Sequence, residues 1–109
     1  MPRAIAYAVR SGVIVDDPTF DRVFPSSHRF RSWMHWTPVQ VARRACALLA
    51  VRPTSRVLDV GSGVGKLCLV GGLSTSATWV GIEEDAEMIE VARHAATALE
   101  VEDRVTFLH

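Results

Sequence analysis

The chain has 109 residues, of which 49% are hydrophobic and 22% charged, and this is enough for one globular domain or part of one. No apolar run approaches the roughly 20 residues that span a bilayer, and the N-terminal apolar stretch is too short for a secretory signal. These features argue against a membrane or secreted protein and predict a cytoplasmic one. Cys46 and Cys68 lack C-x-x-C spacing and a histidine cluster, which predicts two reduced core thiols and no metal site.

The formal net charge is zero, but the charges are unevenly distributed along the chain. Residues 1–56 contain nine arginines and three aspartates, whereas residues 57–109 contain three cations and nine acids. A basic first half could face an anionic substrate or a nucleic acid. We favour the interpretation that it docks on the acidic half or stays solvated, so a nucleic acid is not the favoured partner.

Residues 1–36 are predicted to form an N-terminal helical or lid segment. Residues 4–9 suit a short helix and residues 13–15 suit an extended piece, and we expect a helix followed by a turn. Further helical turns are expected between two breaker clusters. Residues 28–36 interleave basic and aromatic side chains, a composition that suits stacking on an adenine ring. Three of them have helical spacing and are expected to pack on the sheet instead: Phe30, Trp33 and Met34. Trp36 adjoins the next helix and is predicted near a cofactor mouth.

The next predicted element is a helix that opens a second region, residues 37–109. The Thr37 hydroxyl can accept a hydrogen bond from the Gln40 amide, and Pro38 suits the first helical position. The helix is expected to run to about Val51. Its predicted buried side chains share the 3.6-residue period: Val41, Ala42, Ala45, Leu48 and Leu49.

Residues 56–66 are the centre of the sequence, because a strand leads there directly into a glycine-rich turn and a helix. Val57, Leu58 and Val60 form an apolar run typical of a parallel strand covered on both faces. Asp59 interrupts this run. A carboxylate at the end of a buried strand needs a polar neighbour or a ligand, so the turn is interpreted as a binding site.

Three glycines, Gly61, Gly63 and Gly65, allow the turn to take positive φ and to approach a ligand closely. Their spacing does not match the dinucleotide fingerprint G-x-G-x-x-G, because Lys66 occupies the place of the third glycine. It does not match a phosphate loop either, which is one residue longer and has a hydroxyl residue where Leu67 stands. A nicotinamide-dependent oxidoreductase is therefore the least favoured of the three functions that we consider.

The remaining elements alternate between helix and strand. A short helix is predicted over residues 66–73, with a glycine pair near its end that permits close packing on a sheet. Residues 78–83 are predicted to form a second strand closed by an acid. Asp85 is predicted to cap a helix over residues 86–99, and residues 104–109 begin a third strand.

The motif D-x-G-x-G-x-G after a strand resembles the class I S-adenosylmethionine-dependent methyltransferases. Glu83, 22 residues after Gly61, extends this resemblance, since an acid at this spacing binds ribose hydroxyls. The resemblance implies that Asp59 lies by the cofactor's amino group, the glycine turn under its methionine portion and Glu83 on its ribose. Lys66 is interpreted as solvated rather than as a contact of the methionine carboxylate. The predicted cofactor-binding residues are Asp59, Gly61, Ser62, Gly63, Gly65, Glu83, Glu84 and Trp36.

The fold implied by this resemblance is an α/β Rossmann-like parallel sheet with flanking helices, of which this chain holds the first three strands. Right-handed connections place these strands in the order 3-2-1, which leaves strand one at an edge. The family continues with four more strands on that side, so the chain is expected to be the cofactor-binding front half of a methyltransferase with an unidentified acceptor. No catalytic residue is assigned.

The open edge of strand one gives the rival hypothesis. A strand with this composition should be covered, either by a second copy, by a complementing chain, or by residues 1–30 folding back. The rival function is a catalytically incomplete module that binds a partner or self-associates through this edge.

Overall fold

The computed structural model describes residues 1–29 and 36–109. The predicted packing of Phe30, Trp33 and Met34 lies outside these residues. The helices are α1 Pro2–Arg10, α2 Asp17–Phe20, α3 Ser26–Arg29, α4 Val39–Leu49, α5 Lys66–Ser74 and α6 Ala86–Ala98, with a 3-10 turn at Asp21–Val23. The strands are β1 Arg56–Val60, β2 Thr78–Ile82 and β3 Val105–Leu108. In the part of the chain that the structure describes, no helix has both the length and the apolar character needed to cross a membrane.

The three strands form one parallel sheet in the order β1-β2-β3, which confirms the predicted Rossmann-like fold and strand order. Asp59 lies beside Gly81 in the register, and Val60 lies beside Ile82. Helix α5 packs on β2 and α6 packs on β3. The carboxyl ends of all three strands therefore meet at one edge of the sheet, next to the glycine turn.

The prediction that β1 is covered on both faces is wrong for the described residues. Leu58 is 59% exposed and Val60 is 75% exposed, because their side chains point away from the face that carries α5 and α6. The described part of the N-terminal segment does not cover this strand either. Helix α1 packs on α5, and among the described residues β1 pairs only with β2.

Helix α4 departs from its prediction at its start and in its buried face. It begins at Val39 without a cap from Thr37, and the Val39 amide donates to Asp17 Oδ1 at 2.8 Å. Its buried residues are Val39, Ala42 and Cys46, whereas Val41 is 55% and Leu48 is 79% exposed. Both stripes fit the helical period, and packing of α4 against α5 selects the one with Cys46.

The glycine pair of α5 confirms the predicted close packing of this helix on the sheet. A methyl group on Gly71 would overlap the indole ring of Trp79, and one on Gly72 would overlap the Val105 side chain. Trp79 is fully buried, and its Nε1 donates to Thr75 Oγ1 at 3.0 Å. The pair therefore fixes how closely α5 approaches β2 and β3.

Helix α6 begins and ends with defined caps. The Asp85 carboxylate accepts from the Glu87 amide at 2.9 Å, which confirms the predicted N-cap. At the other end the Glu100 amide donates to the Thr97 carbonyl, and the Val101 amide donates to the Ala96 carbonyl. This is a Schellman motif with Glu100 at the left-handed position, where its φ is +59°.

Candidate functional site

The glycine turn between β1 and α5 provides two residues with open space above the backbone. Gly61 has φ +77° and Gly63 has φ +58°, and a Cβ on either would meet nothing within 4 Å. Gly65, with φ +84°, differs, because a Cβ there would overlap the Phe107 ring. Gly61 and Gly63 thus leave room for a ligand, while Gly65 allows the start of α5 to pack against β3.

The amides of this turn are used inside the protein. Gly61 and Ser62 both donate to the Ile82 carbonyl, at 2.7 and 3.0 Å. The Gly63 amide donates to Glu83 Oε1 at 2.8 Å. A phosphate loop needs free amides that point at an anion, and here a carboxylate already lies on the turn. The site therefore suits a ligand that needs space and an acceptor, and it does not suit a phosphate.

Glu83 follows β2 directly and turns back toward the glycine turn. Its Oε1 accepts from the Gly63 amide, and its Oε2 accepts from the Asp85 amide at 3.0 Å. Glu84 is exposed, and its carbonyl accepts from His109 Nε2 at 2.8 Å. The structure thus brings Glu83 to the turn and leaves Glu84 outside. Contact of either side chain with a ribose stays a prediction.

A cavity of about 120 Å³ lies beside the turn. Its lining includes Trp36, Asp59, Gly61, Ser62, Gly63 and Lys66. Sites that enclose a whole drug-sized ligand measure roughly 300–1,000 Å³, so this cavity has room for only part of such a ligand. Glu83 is outside the lining and is connected to it through the Gly63 amide.

Asp59 lies in this cavity wall as a partly buried carboxylate. Burial raises its pKa, and a hydrogen bond from the Cys68 thiol, 3.9 Å from Asp59 Oδ2, opposes that rise. Burial and the neighbouring Asp59 carboxylate raise the pKa of Cys68 to about 12, so the thiol stays a donor. Within the described residues Asp59 makes no ion pair. An incoming ammonium group would supply the missing cation.

Lys66 contradicts the prediction that it is solvated. It is 2% exposed, and its Nζ lies 2.7 Å from Asp17 Oδ1 and 2.7 Å from Asp21 Oδ1. The ammonium also faces the rings of Phe20, at 5.8 Å, and Trp36, at 6.0 Å. The two aspartates were missed as site residues, because their only sequence signal is a four-residue spacing on short helical turns.

Trp36 is 9% exposed and lines the cavity. Its ring meets Phe24 edge-on at a centroid distance of 4.8 Å. The structure therefore places Trp36 beside the glycine turn, where the sequence predicted a cofactor mouth. Its contact with a ligand stays a prediction.

Residues 35–109 match a family model described as protein-L-isoaspartate(D-aspartate) O-methyltransferase. No curated protein of similar sequence was found. The match covers α4 and every element after it.

Several solved methyltransferase structures have a similar fold. A putative O-methyltransferase from Klebsiella pneumoniae has a TM-score of 0.69 at 23% identity, covering 96% of this chain and 49% of that one. An O-methyltransferase from Bacillus cereus in complex with S-adenosylhomocysteine also has a TM-score of 0.69, at 18% identity and the same coverage. A methyltransferase from Thiobacillus denitrificans, in complex with S-adenosyl-L-homocysteine, has a TM-score of 0.58 at 30% identity over 78% of this chain and 36% of that one. The present chain spans half or less of each of these proteins.

Proposed function

Because the chain belongs to the protein-L-isoaspartate(D-aspartate) O-methyltransferase family of class I methyltransferases, we propose that it is the S-adenosylmethionine-binding part of a methyltransferase. The single observation that carries the proposal is the open space above Gly61 and Gly63. This space lies beside Asp59, a carboxylate without an ion pair among the described residues. The arrangement fits a ligand that carries an ammonium group.

The roles of the residues follow from their positions. Asp59 accepts from the amino group of the methionine portion. The turn at Gly61 and Gly63 lies under that portion, where any side chain would occupy the same space. Glu83 accepts from the ribose hydroxyls with the lone pairs that its bonds to the Gly63 and Asp85 amides leave free.

The bound cofactor supplies an activated sulfonium methyl group. The protein therefore contributes mainly by orienting this methyl group, and less by acid-base catalysis. The residues of this chain form the cofactor-binding part of such an enzyme. The three solved structures are at least twice as long as the part that this chain covers. The proposal therefore concerns the cofactor, and the methyl acceptor is left open.

Isothermal titration tests this proposal. S-adenosylmethionine is added to the 109-residue chain at high micromolar concentration, after a cooperative melt has shown that the chain is folded. We expect saturable heat with one site per chain. Absence of heat from the folded chain would overturn the proposal. Tighter binding of NAD would favour the oxidoreductase alternative instead.

A second candidate function, self-association through β1, is favoured by the exposure of Leu58 and Val60. The outer edge of β1 has no partner strand among the described residues, and unpaired strand edges template pairing with other chains. A second copy of this chain is the occupant that this edge fits. A two-fold axis through Leu58 would pair β1 antiparallel with its own copy and place the two exposed Leu58 side chains opposite each other.

Analytical ultracentrifugation over a wide range of concentrations tests self-association. We expect the wild type to dimerise with concentration and Val60→Lys to stay monomeric, because a lysine on a strand edge opposes pairing. Tyr7→Lys is the matched control, since Tyr7 is 74% exposed on α1, and it should behave as the wild type. A monomeric wild type with a cooperative melt would rule out this candidate.

A further inference from the structure

We propose that Lys66, Asp17 and Asp21 form a positioning cluster that holds the wall of the cofactor cavity in place. The inference rests on the proposed function, because it assigns the cluster a role in binding that cofactor. Lys66 is the first residue of α5, immediately after the glycine turn. Asp17 and Asp21 belong to the N-terminal segment, 49 and 45 positions earlier in the sequence.

The location of Lys66 is unfavourable without these partners. Its ammonium is almost fully buried, and it lies on the first turn of a helix, where the macrodipole repels a cation. Asp17 Oδ1 and Asp21 Oδ1 each lie 2.7 Å from Lys66 Nζ, and Asp21 is itself 3% exposed. Removing one partner of a buried ion pair is strongly destabilising, so the three side chains form one interdependent unit, of which Lys66 lines the cavity.

One oxygen atom connects the cluster to the start of α4. Asp17 Oδ1 accepts from Lys66 Nζ and also from the Val39 amide at 2.8 Å. The two residues before Pro38, Trp36 and Thr37, line the same cavity as the glycine turn. The Trp36 ring faces the same ammonium at 6.0 Å. The cluster thus fixes the distance between the glycine turn and the start of α4.

This geometry assigns Lys66 a positioning role rather than direct contact with the cofactor. Its ammonium is already engaged by two carboxylates, which leave the cluster with a net negative charge. A net negative cluster would repel the methionine carboxylate. Its contribution to binding is the position of the walls formed by Trp36 and by the residues after Gly61.

The test compares the wild type, Lys66→Met and a triple variant. Each protein is titrated with S-adenosylhomocysteine to measure affinity and melted in parallel to measure stability. Lys66→Met leaves two carboxylates without their cation, so it should lower the melting temperature and weaken binding by about tenfold or more. The triple variant Lys66→Met, Asp17→Asn, Asp21→Asn removes the stranded charges. We expect it to regain most of the melting temperature but not the affinity, because the walls are no longer connected.

The control is Glu100→Gln, which breaks the exposed ion pair between Arg3 and Glu100 and should leave the affinity unchanged. Wild-type affinity in the triple variant, or in a folded Lys66→Met protein, would overturn the positioning role while the proposed function stands. A wild type that does not bind S-adenosylhomocysteine would overturn the proposed function and this inference with it.

Discussion

The Glu83 carboxylate accepts a hydrogen bond from the Gly63 amide at 2.8 Å. The acid that closes β2 is therefore fixed to the glycine turn that follows β1, although 20 residues separate the two in the sequence. A single site can use both, since the turn provides space and the acid provides acceptor oxygens.

Replacing Gly61 with alanine should abolish most cofactor binding with a modest loss of stability. Gly61 has φ +77° and open space where a Cβ would lie, so a methyl group there occupies the proposed ligand site. The matched control is Gly12→Ala, because Gly12 has the same φ of +77° but is not in the cavity lining. Both variants should lose about 1–2 kcal/mol of unfolding free energy, and only Gly61→Ala should lose binding in titration. Equal affinities would contradict the proposed ligand position.

Asp59→Asn should weaken cofactor binding without destabilising the free protein at neutral pH. Burial raises the pKa of Asp59, so the folded state favours the protonated form. The stability that Asp59 contributes in its protonated form is fully present below its pKa in the unfolded chain, which is about 3.9. This stability is lost as the pH rises through the raised pKa of Asp59 in the folded protein. Thermal melts should therefore show the variant as stable as the wild type or more so at pH 7, with the difference shrinking in acid. A less stable variant at pH 7 would count against this account.

The same carboxylate should make binding dependent on pH. An ammonium group binds ionised Asp59, so wild-type affinity should fall as the pH is lowered through its raised pKa, at a higher pH than for an ordinary aspartate. Titrations over the acidic range measure this. In Asp59→Asn the fall should be absent or smaller, and an unchanged profile would exclude Asp59 as the group that titrates.

Glu100→Gly should stabilise the protein by about 1 kcal/mol, because Glu100 has a left-handed φ of +59° at the end of α6. The ion pair it loses with Arg3 has side chains that are 55% and 86% exposed, and such pairs contribute little. Urea unfolding measures the change. Glu102→Gly, at a nearby exposed position without positive φ, should give no such gain. Destabilisation by Glu100→Gly would show that this backbone is not strained.

Gly71→Ala should destabilise the protein even though alanine is the better helix former. Alanine gains about 1 kcal/mol of helix propensity, but its methyl group would overlap the Trp79 ring, and overpacking costs about 1–3 kcal/mol. Combining the substitution with Trp79→Leu should make the effect of Gly71→Ala smaller in unfolding experiments. An equally large effect in that background would place the cause elsewhere.

Local signals in the sequence were sufficient to predict the frame of the site. The unbroken run from β1 through the glycines to α5, the acid after β2 and the Asp85 cap each depend on neighbours within a few residues. These elements appear in the structure where the sequence placed them. The strand order then follows from the handedness of the connections.

The features that sequence reasoning missed depend on contacts between distant residues. The ion pair of Lys66 with Asp17 joins residues 49 positions apart, and no local pattern distinguishes such a lysine from a solvated one. Helix α4 has two apolar stripes that fit its period, and only packing on α5 selects one. The exposure of Leu58 and Val60 depends on which elements cover that face of the sheet. The residue types of β1 do not predict this.

The most direct test of the central claim is a structure of this chain with S-adenosylhomocysteine, by crystallography or by intermolecular NMR contacts. We expect the amino group within hydrogen-bond distance of Asp59, the methionine portion over Gly61 and Gly63, and the ribose hydroxyls at Glu83. A ligand bound elsewhere, or a ribose out of reach of Glu83, would contradict it.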